Sequence, residues 1–482
     1  MMRIKLLFFR FSTLALAATH QHVDVAIVGG GLSGLAAAKD LAAAGKSFVV
    51  LEARDRVGGR VLNAHLPGGG VEELGAEFVG PTQDRVLDLA RTLNLETYPT
   101  YTTGNNTLYH KGAKTTYGAD PALGGLPPVD IESLSELQSF IQNVNEMAAE
   151  LNVNNPWTHS NASYWDSLTV KDFVDQEVTL SNARFLVENA IASILSTEMD
   201  EPSLLYFLSY VASAGNETIP GTLNRLIGVH GGGQDSRVNG GTQLLATKLA
   251  DKLGWANIKL QSPVRKIQRS GTNYIVISDR CTITCTYVVV AMSPPLAATI
   301  TYEPELPVGQ AELHKQMTMG AIGKAIALYS KPWWRELGLN GQVISDAGVV
   351  RTTFDNSPSD AEFGAIMGFI EADEMRKLDK LSEKEIKNLV IQDFVKYFGV
   401  QAARPTGFLL QRWDLEKYSK GGPVAYAPPG VLSSFGPYLR ASSGNLYFAG
   451  TETSTYWTGF MDGAIRSGER VAKEILSVLT QG

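Results

Sequence analysis

The spacing of apolar positions changes along this chain. Val23-Asp24-Val25-Ala26-Ile27-Val28 is an almost unbroken apolar run, the pattern of a parallel strand buried on both faces. Gly29-Gly30-Gly31-Leu32-Ser33-Gly34 interrupts it, Leu35–Ala44 predicts a helix, and Ser47-Phe48-Val49-Val50-Leu51 predicts a second strand. Helical spacing returns at Leu134–Leu151, Leu180–Ile194 and Ser382–Phe398, and after Asn239-Gly240-Gly241-Thr242-Gln243. Strand-like runs stand at residues 257–260 and 286–291 and at Ala325–Tyr329, and Asp462–Leu479 closes the chain as an amphipathic helix. The order is interleaved: residues 23–98, 239–313 and 416–482 predict one domain, and residues 99–238 and 314–415 a second.

The opening glycines have the chemistry of a pyrophosphate site. Gly29 allows a tight turn, Gly31 admits backbone close to a phosphate, and Gly34 allows close helix–strand packing. The helix that follows offers unpaired N–H groups and the positive end of its dipole. Glu52 ends the second strand roughly 20 residues on, where a ribose-binding carboxylate belongs. The bland alternative is a glycine-rich turn in an ordinary α/β protein, but strand, helix, second strand and acid all stand in context. Arg54, Gly59 and Arg60 add cations and small residues nearby, and Gly75 and Ala76 lie in a further small-residue stretch, Glu73–Gln83.

At this point the chain resembles the flavin-dependent monoamine oxidases. Glu52-Ala53-Arg54-Asp55-Arg56-Val57-Gly58-Gly59-Arg60, Val79-Gly80-Pro81-Thr82-Gln83 and Leu95-Glu96-Thr97-Tyr98 carry the resemblance, which runs from about residue 23 to about residue 478. It implies an α/β, Rossmann-like FAD fold of the p-hydroxybenzoate-hydroxylase type, with an α+β substrate domain on a mixed sheet. It also implies FAD as cofactor, held by Gly29, Gly31, Ser33, Gly34, Glu52, Arg54, Gly59, Arg60, Gly75, Ala76 and Val264, and by Trp413, Thr451, Glu452 and Met461 near the other end. Lys324, in an apolar strand where a bare ammonium is costly, matches the lysine that holds a water beside flavin N5 and assists reaction with oxygen. Its alternative is an edge lysine that snorkels to solvent. Phe460 matches an aromatic wall that guides the amine, and Gln234 a cavity-lining glutamine. The helix after Phe460 would turn its N-terminus toward the flavin.

Two departures stand out. The position of the flavin-linking cysteine of animal enzymes is Gly422, so the FAD is expected to be non-covalent. The next position, usually a cage tyrosine, is Pro423. That opens the cavity to bulky amines unless Tyr426 or Tyr456 replaces the wall. Residues 215–234 are also longer than their counterpart. These departures resemble soluble fungal amine oxidases, among them enzymes acting on long aminopolyols such as fumonisins.

The expected reaction converts a primary amine, oxygen and water to aldehyde, ammonia and hydrogen peroxide. Alternatives are a polyamine or L-amino-acid oxidase, with Arg225 and Arg351 as conceivable carboxylate partners, and an amine dehydrogenase using another acceptor. A flavin-bearing scaffold without turnover is a fourth.

Composition narrows the partners. The chain has 482 residues, 44% hydrophobic and 19% charged, with net charge −7. No basic stripe suggests nucleic-acid binding, and seven histidines without ligand spacing suggest no metal. On one strand, Cys281 and Cys285 would lie ~13 Å apart at ~3.3 Å per residue, too far for a disulfide. Residues 1–18, basic and then apolar, read as a secretory signal, with Arg10 interrupting the apolar core. Organelle targeting and a soluble intracellular enzyme are the alternatives. Asn105, Asn161 and Asn216 open glycosylation triplets. No apolar anchor is expected near residue 482. The resemblance implies a homodimer, although no interface is legible.

Overall fold

The computed structural model describes residues 20–119 and 125–481, so the expected signal segment lies outside the described residues. The first strand runs His20–Val28, three residues longer at its start than the apolar run. His20, Gln21 and His22 pair with Thr282, Ile283 and Thr284, and hydropathy does not register that extension. Val25 and Ile27 face one side, against Leu35, Leu245, Leu249, Ile465 and Ile475. Ala26 and Val28 face the other, against Val276, Ile283, Val288 and Val290. Burial on both faces accounts for the missing polar alternation.

Eight strands share this sheet. Ile258–Lys259, Phe48–Leu51, His20–Val28, Thr282–Ala291 and Leu446–Ala449 are parallel, in that spatial order. Asn273–Ser278 pairs antiparallel with the first half of Thr282–Ala291 and leads to Val264–Ser270 and Thr301–Glu303. Chain segments far apart in sequence therefore lie side by side. Cys281 falls in the turn before Thr282 rather than on the strand, and both cysteines are buried and free.

The first helix is Leu32–Ala43, beginning three residues before the expected Leu35. Gly31 is its extended N-cap, so the chain passes straight from the glycine turn into the helix. Gly29 has φ +111°, and a Cβ there would sit 2.4 Å from the Ala291 oxygen. A Cβ on Gly34 would sit 2.0 Å from the Gly29 oxygen. The closing helix, Met461–Gln481, lies across the first one, where Ser33 Oγ and Ser467 Oγ are 2.7 Å apart.

A second, seven-stranded sheet stands beside the first. Its order is Gly407–Arg412, Ile322–Tyr329, Gly364–Glu371, Thr352–Asp355, Leu339–Ser345, Asn105–His110, Ala113–Gly118. It is mixed: Leu339–Ser345 and Asn105–His110 run parallel, and the other pairs antiparallel. Ala325 and Ala327 pack against the helix Glu383–Phe398, whose start is closed by a Ser382–Glu385 capping box. Ile326 packs on the opposite face with Phe78, Phe354 and Phe369. Lys324 shares that face by the two-residue period. Helices Ile131–Ala149, Ser181–Leu195 and Leu204–Ser213 form a third, helical core. The first of them starts earlier than Leu134 because the Asp130 side chain accepts the Ser133 N–H.

The helix crossing yields a prediction. A methyl at Gly468 would meet the Ser33 oxygen at 2.1 Å. Gly468→Ala should cost about 1–3 kcal/mol, read as a lower urea midpoint at unchanged m. Gly68→Ala, in open space, is the control and should leave the midpoint in place.

Candidate active site

One cavity of about 500 Å³ runs between the two sheets. The carboxyl end of the first sheet contributes Gly29, Gly31, Ser33, Glu52, Arg54, Gly59, Arg60, Gly450 and Thr451. The opposite walls contribute Lys324, Trp413, Pro423, Gln234, Tyr210 and Phe460. Gly75, Ala76, Val264 and Met461 also line it. Gly34 and Glu452 stand behind the lining, the first as the helix–turn contact and the second as an ion-pair partner.

The donors and acceptors at the glycine end fit a dinucleotide. No side chain caps the helix Leu32–Ala43, so its first N–H groups are available to an anion. Arg54 Nε and Ser293 Oγ are buried without a partner, and both residues line the cavity. Glu52 Oε2 accepts the Gly30 N–H at 2.7 Å, and Oε1 accepts the Arg54 N–H at 2.8 Å. These bonds fix the carboxylate and leave lone pairs for a ribose hydroxyl. Burial pushes its pKa up, against the pull of Arg54.

The arginines of this segment are less free than the sequence suggests. Arg60 donates to Glu452 and to the Pro423 oxygen, both at 2.7 Å. Arg54 Nη2 donates to Ser419 at 2.8 Å and Glu416 at 3.2 Å. Their guanidinium groups chiefly tie the first segment to the last.

The far end is walled by rings. Phe460 stands edge-on to Trp457 at 4.8 Å and 6.2 Å from the Tyr210 ring. Trp413 Nε1 donates to the Leu74 oxygen at 2.9 Å, which fixes the indole in the wall that it lines. Gln234 Oε1 is buried with no partner. Tyr426, expected on this wall, does not line the cavity. Its strand pairs Tyr426 with Thr318 and Ala425 with Met319, and its hydroxyl lies with Glu201 and Arg376. Tyr456 instead packs against Arg466. Tyr210 takes a place beside Phe460 that neither tyrosine fills.

Sequence reasoning missed a buried charged cluster beneath this wall. Lys324 Nζ donates to Glu77 Oε2 at 2.7 Å and to the Gly75 oxygen at 3.0 Å. Arg237 grips Glu73 Oε2 at 2.8 Å through Nη2, and Glu73 Oε1 accepts the Thr242 N–H. Asn356 donates to Glu72 at 2.7 Å. Burial pushes the Glu72 carboxyl up to about 8, with Arg237 and Asn356 opposing, and raises Glu73 as well. With Glu72 protonated, two anions face two cations and the cluster is neutral. Two acids in a Gly-Ala stretch were the available signal, but their partners lie 164 and 247 residues away.

Known proteins share this architecture. The sequence model of the family described as flavin-containing amine oxidoreductase matches residues 32–476. The flavin-containing amine oxidase A of Equus caballus is 35% identical over 464 residues, spanning 95% of this chain and 85% of the horse protein. The cyclohexylamine oxidase of Brevibacterium oxydans superposes with a TM-score of 0.89 at 32% identity, over 95% of this chain and 99% of its own. A putrescine oxidase structure superposes equally well, TM-score 0.89, at 29% identity over 95% of this chain and all of its own.

The buried cluster yields a pH prediction. Glu72 keeps its proton to about pH 8 when folded but has an ordinary value of 4.5. Its stabilising contribution is complete below that lower value and is lost as pH rises through the upper one. Glu72→Gln should therefore reduce the loss of unfolding free energy between about pH 5 and 8 by about 1 kcal/mol or more. Chemical denaturation of the two proteins across that range checks this.

Proposed function

The chain belongs to the flavin-containing amine oxidoreductases, and from that membership we propose that it oxidises primary monoamines with neutral, bulky or long tails. Oxygen and water are the co-substrates, and aldehyde, ammonia and hydrogen peroxide the products. FAD is the cofactor of this family. When bound, it would take a hydride equivalent from the amine α-carbon and pass the electrons to oxygen.

One observation carries the choice of substrate. Among the lining residues drawn from 99–238 and 314–415, Lys324 is the only charged one, and Glu77 neutralises it. The rest are apolar or neutral, such as Leu186, Ile227, Val343, Phe369, Asn189 and Gln342. An amino acid would need a cation for its carboxylate. Arg225 instead donates to the Ala214 and Pro220 oxygens, and Arg351 is exposed; neither lines the cavity. A polyamine would need carboxylates along the tail, and no acid from those segments lines it. Phe460 and Tyr210 offer flat walls that exclude water from the reacting carbon, and Pro423 leaves width beside them. A dry, mostly neutral wall favours the neutral amine over the ammonium.

Gly422 lines the cavity and offers no thiol, while Cys281 and Cys285 lie outside the lining; we propose non-covalent FAD. Acid precipitation should release all flavin to the supernatant, and flavin retained on the precipitate would overturn that reading. Among the described residues no helix is long and apolar enough to cross a membrane. For entry into the secretory pathway, Asn105 and Asn161 are exposed acceptors, whereas Asn216 spends its amide on Asp84 and on its own turn.

The substrate proposal is tested by anaerobic titration followed by admission of air. Benzylamine, hexylamine and a long-chain aminopolyol should each bleach the flavin, and air should restore the colour with one peroxide per turnover. Bleaching confined to amino acids or to spermidine would overturn it. Bleaching by monoamines without peroxide would favour the dehydrogenase.

A further inference from the structure

We propose that Glu77 is a positioning residue for Lys324: its carboxylate keeps the Lys324 ammonium charged and holds it at the cavity wall beside the flavin site. This rests on the oxidase reading above. The two residues arrive from different parts of the fold. Lys324 comes from the strand Ile322–Tyr329 of the second sheet, and Glu77 from the loop after Gly75. Nζ and Oε2 meet at 2.7 Å, with the two side chains 3% and 1% exposed. Both residues line the cavity.

The surrounding groups leave this task to Glu77. The charged or titratable groups facing the pair are Glu72, Glu73, Tyr98 and Arg237. Glu73 is occupied by Arg237 and the Thr242 N–H. Glu72 is bonded by Asn356. Arg237 divides its donors between Glu73 and the oxygens of Asn356 and Ser357. Among the described residues, Glu77 is the only carboxylate within ion-pair distance of Lys324. Without that carboxylate the buried ammonium would keep only the Gly75 oxygen as partner, and desolvation disfavours an unpaired charge.

The pair is neutral as a whole, but its two ends differ. The ammonium has three N–H groups, and Glu77 and the Gly75 oxygen take two. Glu77 Oε1 is buried with no partner. A small polar guest would thus meet one donor and one acceptor side by side. A fixed positive donor is most effective where negative charge develops, as it does on oxygen during reduction. With Lys324 as that donor, Glu77 decides whether the positive charge is present.

The test uses holoenzyme reduced by light rather than by an amine, so it does not depend on substrate identity. Reoxidation by air-saturated buffer is followed across about pH 6–10 for wild type, Glu77→Gln, Glu77→Asp, Lys324→Met and the double variant Glu77→Gln/Lys324→Met. At about pH 9, Glu77→Gln should reoxidise about tenfold or more slowly than wild type, close to Lys324→Met. Near pH 6 it should recover to within about threefold as the lysine regains its proton. Glu77→Asp should restore the wild-type profile, and the double variant should match Lys324→Met at every pH. The midpoint potential of the bound flavin in Glu77→Gln should fall over the same pH range, a readout independent of turnover. A wild-type rate at all pH values, or a loss that does not change with pH, would overturn the proposal. If Glu77→Gln alone does not accumulate folded, the double variant should, because it strands no ammonium. Failure of both to fold would assign Glu77 to folding alone and overturn the proposal.

Discussion

The ion pair of Arg60 with Glu452 is the contact on which the rest of the molecule depends. Its partners are 392 residues apart and meet at 2.7 Å. Glu452 is completely buried and also accepts the Ala425 N–H, while Arg60 donates in addition to the Pro423 oxygen. One carboxylate and one guanidinium thus tie the first segment, the 423–425 loop and the last segment into one wall. A buried carboxylate stripped of its cation is severely penalised, so the pair constrains the chain more than an apolar contact of equal area would.

Beyond that tie, the cavity is a boundary between two electrostatic designs. At the glycine end, helix N–H groups and unpaired donors await an anion. At the aromatic end, charge is cancelled within the protein: Lys324 by Glu77, and Arg237 by Glu73. Glu73 and Arg237 stand behind the lining, so that the charge-cancelled Lys324–Glu77 pair is the part of this cluster that reaches the cavity. A cofactor with a charged tail and a planar ring suits such a division, and the two sheets supply one half each.

Local signals made the first half legible from sequence. The turn Gly29–Gly34 and Glu52 work through near neighbours, so spacing alone places them. The three-residue extension of the first strand escaped because His20, Gln21 and His22 pair through backbone, which hydropathy does not see. The second half depends on partners distant in sequence. Nothing near Lys324 announces Glu77, and nothing in the helix Leu204–Ser213, buried except at Ser209, distinguishes Tyr210 from Tyr206. Tyr426 misled for a related reason. Its neighbours Gly422 and Pro423 line the cavity, but the short strand it enters pairs with Thr318–Met319 and turns the ring to the other side.

The position of the strand Leu446–Ala449 and the helix Met461–Gln481 has a consequence for how the protein is made. These elements are made more than 400 residues after the strand His20–Val28, yet they complete the sheet that it begins and cover its first helix. During synthesis the glycine turn is exposed for more than 400 residues of elongation without its closing layer. Nascent chains generally fold in units from the N-terminus, and here the first-made unit lacks its final walls. A flavin seat that uses Gly450, Thr451 and Met461 therefore cannot close until these elements have been made, and a chain broken before Leu446 lacks one wall of that cavity.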